Sequence, residues 1–277
     1  MKVLKTVEAL HSYLDSIKNL KLGFVPTMGA LHQGHISLLK IAKQQNEAVL
    51  CSIFVNPLQF NNPEDLKKYP RNEALDFKLL EENNCDAVFN PSYEDLFANY
   101  QVKQFDLGML DKVMEGKFRP GHFNGVANVV FHFFQLIKPR KAYFGEKDFQ
   151  QLAVIKHIVS TENLDIEIIP CPTFREKSGL AMSSRNLRLT ADEQENALFI
   201  SKTLFKAKTL KDKKLPSEII EICTNDFNEN KNLKLEYFEI VEENTLETPI
   251  EWNESLKFRA CVAAFSGEIR LIDNVQL

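Results

Sequence analysis

The feature that most limits the fold of this chain is the alternation of short apolar runs with amphipathic segments over its first 170 or so residues. The candidate strands are LGFVP at 22–26, AVLCSIFV at 48–55, DAVFN at 86–90, KAYFG directly after Arg140, and DIEIIP at 165–170. Strands that alternate with helices form βαβ units, and runs that are apolar throughout suit strands covered on both faces. The pattern therefore predicts an α/β fold around a parallel sheet.

One helix of this region can be located from its periodicity alone. Its apolar residues recur at i, i+3, i+4, i+7, i+8 and i+11: Val126, Val129, Val130, Phe133, Phe134 and Ile137. This is the spacing of one buried helix face. The phenylalanines are therefore predicted to be core residues.

The pattern changes after about residue 176. Helical periodicity covers roughly 190–210 and 216–229, and three strand-like segments follow: LKLEYFEIVE, LKFRACVAAF and EIRLIDNVQL. Ser266-Gly267 between the last two segments favours a hairpin turn. The sequence thus predicts two domains, a parallel-sheet domain over 1–176 and a smaller α+β domain with a mostly antiparallel sheet over 177–277.

Composition narrows the class of protein. The 277 residues are 44% apolar and 26% charged, and the net charge of -4 gives no field that would attract nucleic acid. No segment reaches the length of about 20 apolar residues that spans a bilayer, and the polar start is unlike a signal peptide. Five cysteines lie singly along the chain, which suits buried thiols in a reducing compartment. We expect a cytoplasmic protein without nucleic-acid or membrane partners.

The loop after the first long apolar run carries the clearest chemistry. In FVPTMGALHQGHISLLK, the strand is predicted to end at Pro26 and a helix to begin near Gly34 or His35. Backbone N–H groups and the helix dipole favour an anion at such a helix start, and His32 and His35 can donate hydrogen bonds to phosphate oxygens. Two alternatives remain: the histidines could cap the helix or pack as a core pair. A metal site is disfavoured because no third ligand lies nearby.

Two further segments suit phosphate. Gly145, Glu146, Lys147 and Asp148 follow a predicted strand and open a helix, so the same anion-site geometry recurs with a lysine charge. Met182, Ser183, Ser184 and Arg185 offer hydroxyl groups and a guanidinium. Taken alone, the first segment could be a solvated charged loop and the second a polar turn.

Seven strings together resemble the pantothenate synthetase family of the nucleotidyltransferase superfamily, which carries a His-x-Gly-His motif. They occur in family order along the chain: PTMGALHQGH at 26–35, FVNPLQF at 54–60, YPR at 69–71, FRPGHFNGV at 118–126, AYFGEKDFQQL at 142–152, SGLAMSSRN at 178–186 and RLIDN at 270–274. The resemblance implies a Rossmann-like N-terminal domain that binds ATP and pantoate, with a smaller C-terminal α+β lid domain.

The resemblance also implies an activity, namely the ATP-dependent joining of pantoate to β-alanine through a pantoyl adenylate, with release of pyrophosphate and AMP. Mg²⁺ is expected on the phosphates, and the family suggests a homodimer.

The family resemblance further assigns residues. It implies that ATP binds Met28, Gly29, Ala30, Leu31, His32, Gln33, Gly34, His35, Gly145, Glu146, Lys147, Asp148, Phe174, Met182, Ser183, Ser184 and Arg185. His35 is the expected proton donor, with His32 and Lys147 also catalytic. Pantoate is assigned to Gln59 and Gln151, and β-alanine to Gln59. Asp76 is a candidate Mg²⁺ ligand, although an exposed helix carboxylate is an alternative interpretation.

Two positions depart from the family pattern. Phe174 replaces a usual valine at a position whose backbone contacts adenine, and Ser178 replaces an acidic residue. These changes bear on the fit of the base.

Two rival functions remain at this stage. Another nucleotidyltransferase would keep the fold and change the substrate, and it would not depend on Gln59 or Gln151. A nucleotide-binding regulatory module without turnover is the second. The combination of His32, His35, Lys147 and the serine-arginine segment favours an enzyme over the latter.

Overall fold

The computed structural model describes every residue from Met1 to Leu277 and forms two compact units. The first unit comprises Met1–Glu146 and Gln150–Pro172, and the second comprises Lys147–Phe149 and Thr173–Leu277. The structural division therefore falls a few residues before position 176. The segment Lys147–Phe149 also belongs to the second unit, and the sequence pattern does not indicate this assignment.

The first unit contains a six-stranded sheet in which every pairing is parallel. Its strands are β1 (Lys2–Leu4), β2 (Leu22–Thr27), β3 (Ala48–Ile53), β4 (Ala87–Phe89), β5 (Lys141–Gly145) and β6 (Glu167–Cys171), in the order β1-β4-β3-β2-β5-β6. The five predicted strands and the α/β class are confirmed. The sequence pattern does not predict strand β1, because three residues at a sheet edge are too few to show a period.

Eight helices accompany this sheet along the chain. They are α1 (Val7–Ser16), α2 (Gln33–Gln45), α3 (Pro63–Lys68), α4 (Glu73–Glu82), α5 (Tyr93–Phe97), α6 (Met114–Phe118), α7 (His122–Ile137) and α8 (Phe149–Thr161). Helix α7 is the periodic helix that the sequence predicts, and its apolar residues are buried as expected.

Helix α7 is fixed to the sheet by aromatic contacts. The ring of Phe133 packs edge to face against Phe24 and Phe54, with ring centroids 5.6 and 6.2 Å apart. Such pairs contribute about 0.5 to 1.5 kcal/mol each beyond the burial of their area. This packing holds α7 against the sheet and against the segment that follows β3.

The strand order reverses next to β2. From β2 the chain proceeds through β3 and β4 on one side of the sheet, and β5 and β6 lie on the other side. In open α/β sheets, ligands bind outside the carboxyl ends of the strands at such a reversal, because the two neighbouring loops diverge there. The segments after β2 and β5 are therefore the expected ligand-binding edge, and they contain two of the three predicted phosphate segments.

The second unit is built on an antiparallel sheet. Helices α9 (Ala191–Leu210) and α10 (Pro216–Glu229) precede strands β7 (Leu233–Glu242), β8 (Phe258–Ser266) and β9 (Ile269–Gln276), in the sheet order β7-β8-β9. The predicted helices and strands are confirmed. The hairpin turn lies one residue later than predicted, because Ser266 pairs with Ile269 and the turn is Gly267-Glu268. Gly267 adopts a φ of 58°, which favours glycine.

Two further findings concern the chain as a whole. No helix has the length and apolar character needed to cross a membrane. All five cysteines are buried and unpaired, as the sequence predicts.

Candidate active site

The loop between β2 and α2 is closed by the two histidines themselves. His32 is the N-cap of α2, and its Nδ1 accepts the backbone N–H of Gly34 at 3.1 Å. The Nδ1 of His35 accepts the backbone N–H of His32 at 3.2 Å. This reciprocal arrangement is a capping box, with imidazoles in place of the usual hydroxyl and carboxylate. The alternative interpretation of the histidines as helix caps is thus confirmed.

The capping hydrogen bonds also fix the tautomer of the two imidazole rings. Because each Nδ1 accepts an N–H, a neutral ring must carry its own proton on Nε2. The ring centroids of His32 and His35 are 4.1 Å apart. The loop therefore holds two adjacent imidazoles in the tautomer that presents an Nε2–H donor, so the capping role and an anion-binding role are compatible.

Asp76 on helix α4 supports the same loop. Its Oδ2 accepts the backbone N–H of Ala30 at 2.9 Å, and its Oδ1 accepts that of Leu31 at 2.7 Å. Burial raises the pKa of the Asp76 carboxyl above its ordinary value, and the two backbone hydrogen bonds oppose this shift. The residue is only 2% exposed, so the alternative of an exposed helix carboxylate is wrong.

The loop backbone is bent by two consecutive residues with positive φ, Gly29 at 78° and Ala30 at 49°. A Cβ on Gly29 would lie 3.0 Å from the Asp76 carboxylate and 3.1 Å from Ile53. The N–H of Gly29 donates to the Thr27 hydroxyl at 3.3 Å. Most loop amides are thus bound within the protein, so the backbone mainly shapes the loop and the imidazoles are its principal donors toward a ligand.

Gln59 lies in a short 3-10 turn, Pro57–Gln59, after β3, and its side chain is held by two neighbours. Its Oε1 accepts from Asn56 Nδ2 at 3.1 Å, and its Nε2 contacts the Met28 sulfur at 3.0 Å. The Gln59 backbone carbonyl lies 2.8 Å from His122 Nδ1. Gln59 is only 8% exposed, so its amide is oriented by buried polar partners rather than by solvent.

Gly125 on α7 permits the close approach that places this turn. A Cβ at that position would lie 2.1 Å from the Leu58 carbonyl oxygen and 2.8 Å from the Gln59 nitrogen. The Gly125 carbonyl accepts the Asn56 side chain at 3.0 Å. Gly125, the second glycine of the FRPGHFNGV string, is therefore required for contact between helix α7 and the Gln59 turn.

The adjacent glutamines of α8 behave differently. Gln150 is 5% exposed, accepts the Glu115 N–H at 2.9 Å and donates to the carbonyls of Leu110 and Val113, both at 2.8 Å. Gln151 is half-buried, and no hydrogen bond to its side chain is formed within the chain. Gln150 is therefore a structural residue, whereas the Gln151 amide retains its capacity to bind a ligand.

Lys147 belongs to the second unit, where it lines a narrow cleft of only about 10 Å³ with Ser183, Arg185, Asn186, Arg270 and Asp273. Its side chain is 17% exposed, and its Nζ lies 3.5 Å from Asp148 Oδ1. The structure thus brings together two segments that the sequence proposes separately for phosphate, although they lie far apart along the chain. An ammonium, a guanidinium and a hydroxyl on one cleft are suited to phosphate oxygens.

The segment from Phe174 to Arg185 folds back on itself. The Met182 N–H donates to the Phe174 carbonyl at 3.0 Å, and the Glu176 N–H donates to the Leu180 carbonyl at 2.8 Å. Ser183 then caps a 3-10 turn by accepting the Arg185 N–H at 3.3 Å. Phe174 is exposed and Ser184 is buried. All five predicted ATP-binding residues of this region therefore lie on one hairpin-like segment.

Sequence reasoning missed several residues that hold the site together. Asn56 and His122 lie in the family strings at 54–60 and 118–126, and Asp273 and Asn274 lie in RLIDN, but the sequence pattern predicts no role for any of the four. The only signal was their presence in a motif, because the spacing of a polar residue does not reveal its partner.

These features are those of an ATP-using α/β enzyme of the nucleotidyltransferase type: the reversal of strand order next to β2, the loop capped by two histidines, and the cleft lined by Lys147, Ser183 and Arg185. A family model described as pantoate-beta-alanine ligase matches residues 2–276. The chain belongs to this family, and the suggested resemblance is confirmed.

Curated relatives match this sequence over nearly their whole length. The chain is 48% identical over 278 residues to a pantothenate synthetase of Bacteroides fragilis, covering 100% of this chain and 99% of the relative. It is 48% identical over 268 residues to a pantothenate synthetase of Cytophaga hutchinsonii, covering 96% of this chain and 95% of the relative.

Solved structures agree with the fold. A pantothenate synthetase of Thermus thermophilus superposes with a TM-score of 0.93 at 36% identity, covering 99% of both chains. A pantoate-beta-alanine ligase of Francisella tularensis, described as complexed with beta-gamma ATP and beta-alanine, gives a TM-score of 0.82 at 38% identity, with 99% and 97% coverage. The Rossmann-like parallel sheet and the smaller α+β unit are those of this family.

Proposed function

We propose that this chain catalyses the ATP-dependent condensation of pantoate with β-alanine to pantothenate, with AMP and pyrophosphate as the other products. The observation that carries the proposal is the capping box, which holds His32 and His35 as paired Nε2–H donors at the β2–α2 loop. Family membership supplies the substrates. A different nucleotidyltransferase substrate, the first rival, is disfavoured by full-length relatives that share one name.

The first step joins pantoate to AMP. A pantoate carboxylate oxygen attacks the α-phosphorus of ATP, and the bond from that phosphorus to the bridging oxygen breaks, so that pyrophosphate leaves with the electron pair. A carboxylate with a pKa near 4 is already ionised at neutral pH, so no general base is needed. Catalysis then depends on alignment and on neutralising charge that develops on the leaving group.

The donors of each unit suit this charge. In the first unit, the Nε2–H groups of His32 and His35 are proposed to bind phosphate oxygens, with His35 donating its proton toward the leaving group. In the second unit, Lys147, Ser183 and Arg185 are proposed to bind phosphate oxygens from their shared cleft. The other ATP contacts that the family resemblance implies stay proposals: Met28, Gly29, Ala30, Leu31, Gln33, Gly34, Gly145, Glu146, Asp148, Phe174, Met182 and Ser184.

Pantoate and β-alanine are proposed to bind neutral amides. The Gln59 amide is preoriented by Asn56, and the Gln151 amide has no partner in the chain to compete with a ligand. A substrate with hydroxyls and a carboxylate needs groups that can both donate and accept. In the second step the β-alanine amine, after losing one proton to water, attacks the acyl carbonyl carbon. The bond from that carbon to the phosphate oxygen then breaks, AMP leaves with the electron pair, and the nitrogen releases a second proton as the amide forms.

Magnesium is expected on the ATP phosphates rather than in a cage of side chains. No group of three or more His, Cys, Asp or Glu side chains is arranged for a metal. Asp76, the candidate ligand, already accepts two backbone N–H bonds with its two oxygens. The proposed steps above assign no role to a protein-bound metal, and the Asp76 assignment stays a prediction.

The homodimer, the cytoplasmic location and the lid role of the second unit also remain predictions. Light scattering tests the first: a mass near twice 31.8 kDa is expected, and a mass of 31.8 kDa at micromolar concentration would exclude the dimer.

The deciding experiment omits each substrate in turn. Enzyme with ATP, Mg²⁺ and pantoate, but no β-alanine, should exchange labelled pyrophosphate into ATP, because the adenylate forms reversibly before the amine is needed. Adding β-alanine should release AMP and pantothenate. Exchange that requires β-alanine would exclude the stepwise order. A complete lack of pantoate-dependent AMP release would favour the second rival, a nucleotide-binding module without turnover.

A further inference from the structure

The RLIDN string places two consecutive polar residues in the interior of the second unit. Asp273 and Asn274 lie on β9 and are 3% and 4% exposed. They pair with Val262 and Cys261 of the central strand β8, so their backbone is fixed by the sheet. Consecutive strand residues point to opposite sides. Each of these two side chains therefore reaches a different neighbour from one rigid position.

Asp273 binds Arg175 through both oxygens. The Nη1 and Nη2 atoms of Arg175 lie 2.6 and 2.9 Å from the two carboxylate oxygens. The guanidinium also donates to the carbonyls of Gly179 and Asn274, at 3.1 and 3.2 Å. Burial raises the pKa of Asp273, while the paired guanidinium acts in the opposite direction.

Through Arg175, this pair reaches the segment that carries the predicted adenylate contacts. Arg175 directly follows Phe174 and forms a β-bridge with Ala181, next to Met182 and Ser183. One guanidinium thus joins Asp273 to both sides of the hairpin-like segment. Loss of the carboxylate would remove the charged partner that holds this segment to β9 and leave only the bond from Arg175 to the Asn274 carbonyl, without removing any group that touches ATP in the proposed site.

Asn274 holds the other phosphate segment. Its Nδ2 donates to the main-chain carbonyl of Lys147 at 2.8 Å, and its Oδ1 accepts from Arg259 Nη1 at 2.7 Å. The Arg259 guanidinium lies 4.4 Å from the ring centre of Phe149, two residues after Lys147. The amide is thus fixed at both ends, and it sets where the main chain of Lys147 lies relative to β9.

We propose that Asp273 and Asn274 are positioning residues that hold the serine-arginine segment and the Lys147 segment at a fixed separation, so that both can bind one polyphosphate. This inference rests on the proposed function for the identity of the ligand. Lys147, Ser183, Arg185 and Asp273 line the same cleft. The distance between the lysine and the hydroxyl-guanidinium pair is therefore decided by two neighbouring residues of one strand.

The test replaces Asn274 with aspartate. Asn274→Asp keeps the volume and the acceptor for Arg259, but it loses the donor to Lys147 and sets a carboxylate against a carbonyl. We expect ATP affinity, measured by titration calorimetry, and pyrophosphate exchange to fall about 10-fold to 100-fold, since a misplaced group loses most of its effect. Combined with Lys147→Ala, the substitution should cause no further loss, because it acts through the lysine.

Asp273→Asn is the second test variant, because it keeps the shape of the side chain but loses the negative charge that pairs with Arg175. It should raise the KM for ATP and leave the KM for β-alanine unchanged, and combined with Arg185→Ala it should lose less than the product of the two single losses. Glu242→Gln is the control, since it also removes a buried carboxylate of this unit and should alter stability but not either KM.

Two results would overturn the proposal: wild-type ATP affinity in Asn274→Asp, or losses in the Lys147 double variant that multiply as independent effects do. The calorimetric titrations of Asn274→Asp, Lys147→Ala and their double variant need only ATP as the ligand. A wild-type enzyme that binds ATP but does not exchange pyrophosphate with pantoate would therefore overturn the proposed reaction, while these titrations still decide the positioning roles.

Discussion

The carboxylate of Asp76 accepts the backbone N–H of Leu31 at 2.7 Å across 45 positions of sequence. Its other oxygen accepts the N–H of Ala30, so one buried acid on α4 holds both amides at the bend of the β2–α2 loop. The bend requires positive φ at Gly29 and Ala30. The position of the histidine-bearing loop thus depends on an acid outside the loop.

Asp76→Asn should loosen this loop. An asparagine accepts one N–H but turns an NH₂ toward the other, which leaves donor facing donor. We expect a loss of about 1 to 3 kcal/mol in stability and a fall of about 10-fold to 100-fold in pyrophosphate exchange. Thermal unfolding and the exchange rate measure the two effects.

The control for this variant is Glu82→Gln on the same helix, whose carboxylate lies 3.8 Å from the Lys78 ammonium at the surface. This control variant should change neither the thermal unfolding nor the pyrophosphate exchange rate much. Raising the Mg²⁺ concentration separates the two roles of Asp76: a loop role predicts no recovery, and full recovery would instead support the metal-ligand assignment.

His35→Gln should separate capping from catalysis. Glutamine is an ordinary N3 partner in a capping box, so it can accept the His32 N–H and keep α2 stable. Its amide can still donate a hydrogen bond but cannot give up a proton to the leaving group, and loss of one charge-stabilising group reduces turnover about 10²-fold to 10³-fold. We expect near wild-type unfolding with this loss in kcat, measured by AMP release.

His35→Ala should lose both the cap and the turnover. Substitution of His11 or His157, which lie outside the loop, should have little effect on rate; His157 binds only the Asp106 carbonyl, at 2.9 Å. Small and equal losses at all three positions would contradict the role given to His35.

Adjacent glutamines on α8 offer a matched pair. Gln151→Ala should raise the KM for pantoate while ATP affinity and stability stay near wild type, because its side chain has no internal partner. Gln150→Ala removes three hydrogen bonds and should destabilise the protein by about 1 to 3 kcal/mol, with KM values unchanged. An effect on ATP affinity at Gln151 with pantoate affinity preserved would reverse the assignment.

Gly125→Ala should displace the Gln59 turn. The added Cβ would lie 2.1 Å from the Leu58 carbonyl, so α7 and the turn must separate. We expect the KM for pantoate and β-alanine to rise, with a stability loss of about 1 to 3 kcal/mol from overpacking. Asn128→Ala on the same helix is the control; it removes bonds to Lys103 and should lower stability alone. Unchanged KM values in Gly125→Ala would show that the turn can shift without effect.

Glu242 should make stability depend on pH below neutrality. Burial alone would raise its pKa, but hydrogen bonds from Asn244 and Thr245 lower it below its ordinary value. Because the folded pKa lies below the unfolded value of about 4.3, the ionised carboxylate stabilises the fold above that pH. This stabilisation is lost as the pH falls through the lower, folded pKa.

The measurement compares melting temperatures of wild type and Glu242→Gln between pH 7 and about pH 3, below the ordinary glutamate pKa. Wild type should be the more stable at pH 7, and the difference should narrow as the pH falls. Glu254→Gln, at an exposed position, should show no such trend. A difference that stays constant with pH would exclude the carboxylate as its cause.

Much of the fold could be read from the sequence because periodicity reports burial. The apolar runs of β2, β3 and β5 and the repeating face of α7 each show locally which side is covered. Edge strand β1 was missed because three residues carry no period. The hairpin turn was displaced by one residue, since Ser266 and Gly267 are both common in turns and only the strand register decides between them.

The site was partly predictable for a related reason. His32 and His35 act on each other three positions apart at a helix start, so their capping was foreseeable as an alternative. The contact of Asp76 with Leu31 was not, because nothing in a helix carboxylate's own neighbours specifies an amide in a distant loop.

The sequence by itself determined the α/β class, the family strings and the residue types that suit phosphate, because these depend on local pattern and side-chain chemistry. Tertiary structure alone decided which of those residues meet. Lys147 joins the cleft of Ser183 and Arg185, and Asn274 holds it there across 127 positions of chain. Such pairings arise when folding brings distant segments to one strand, and a buried polar group then requires a partner that only the folded chain can provide.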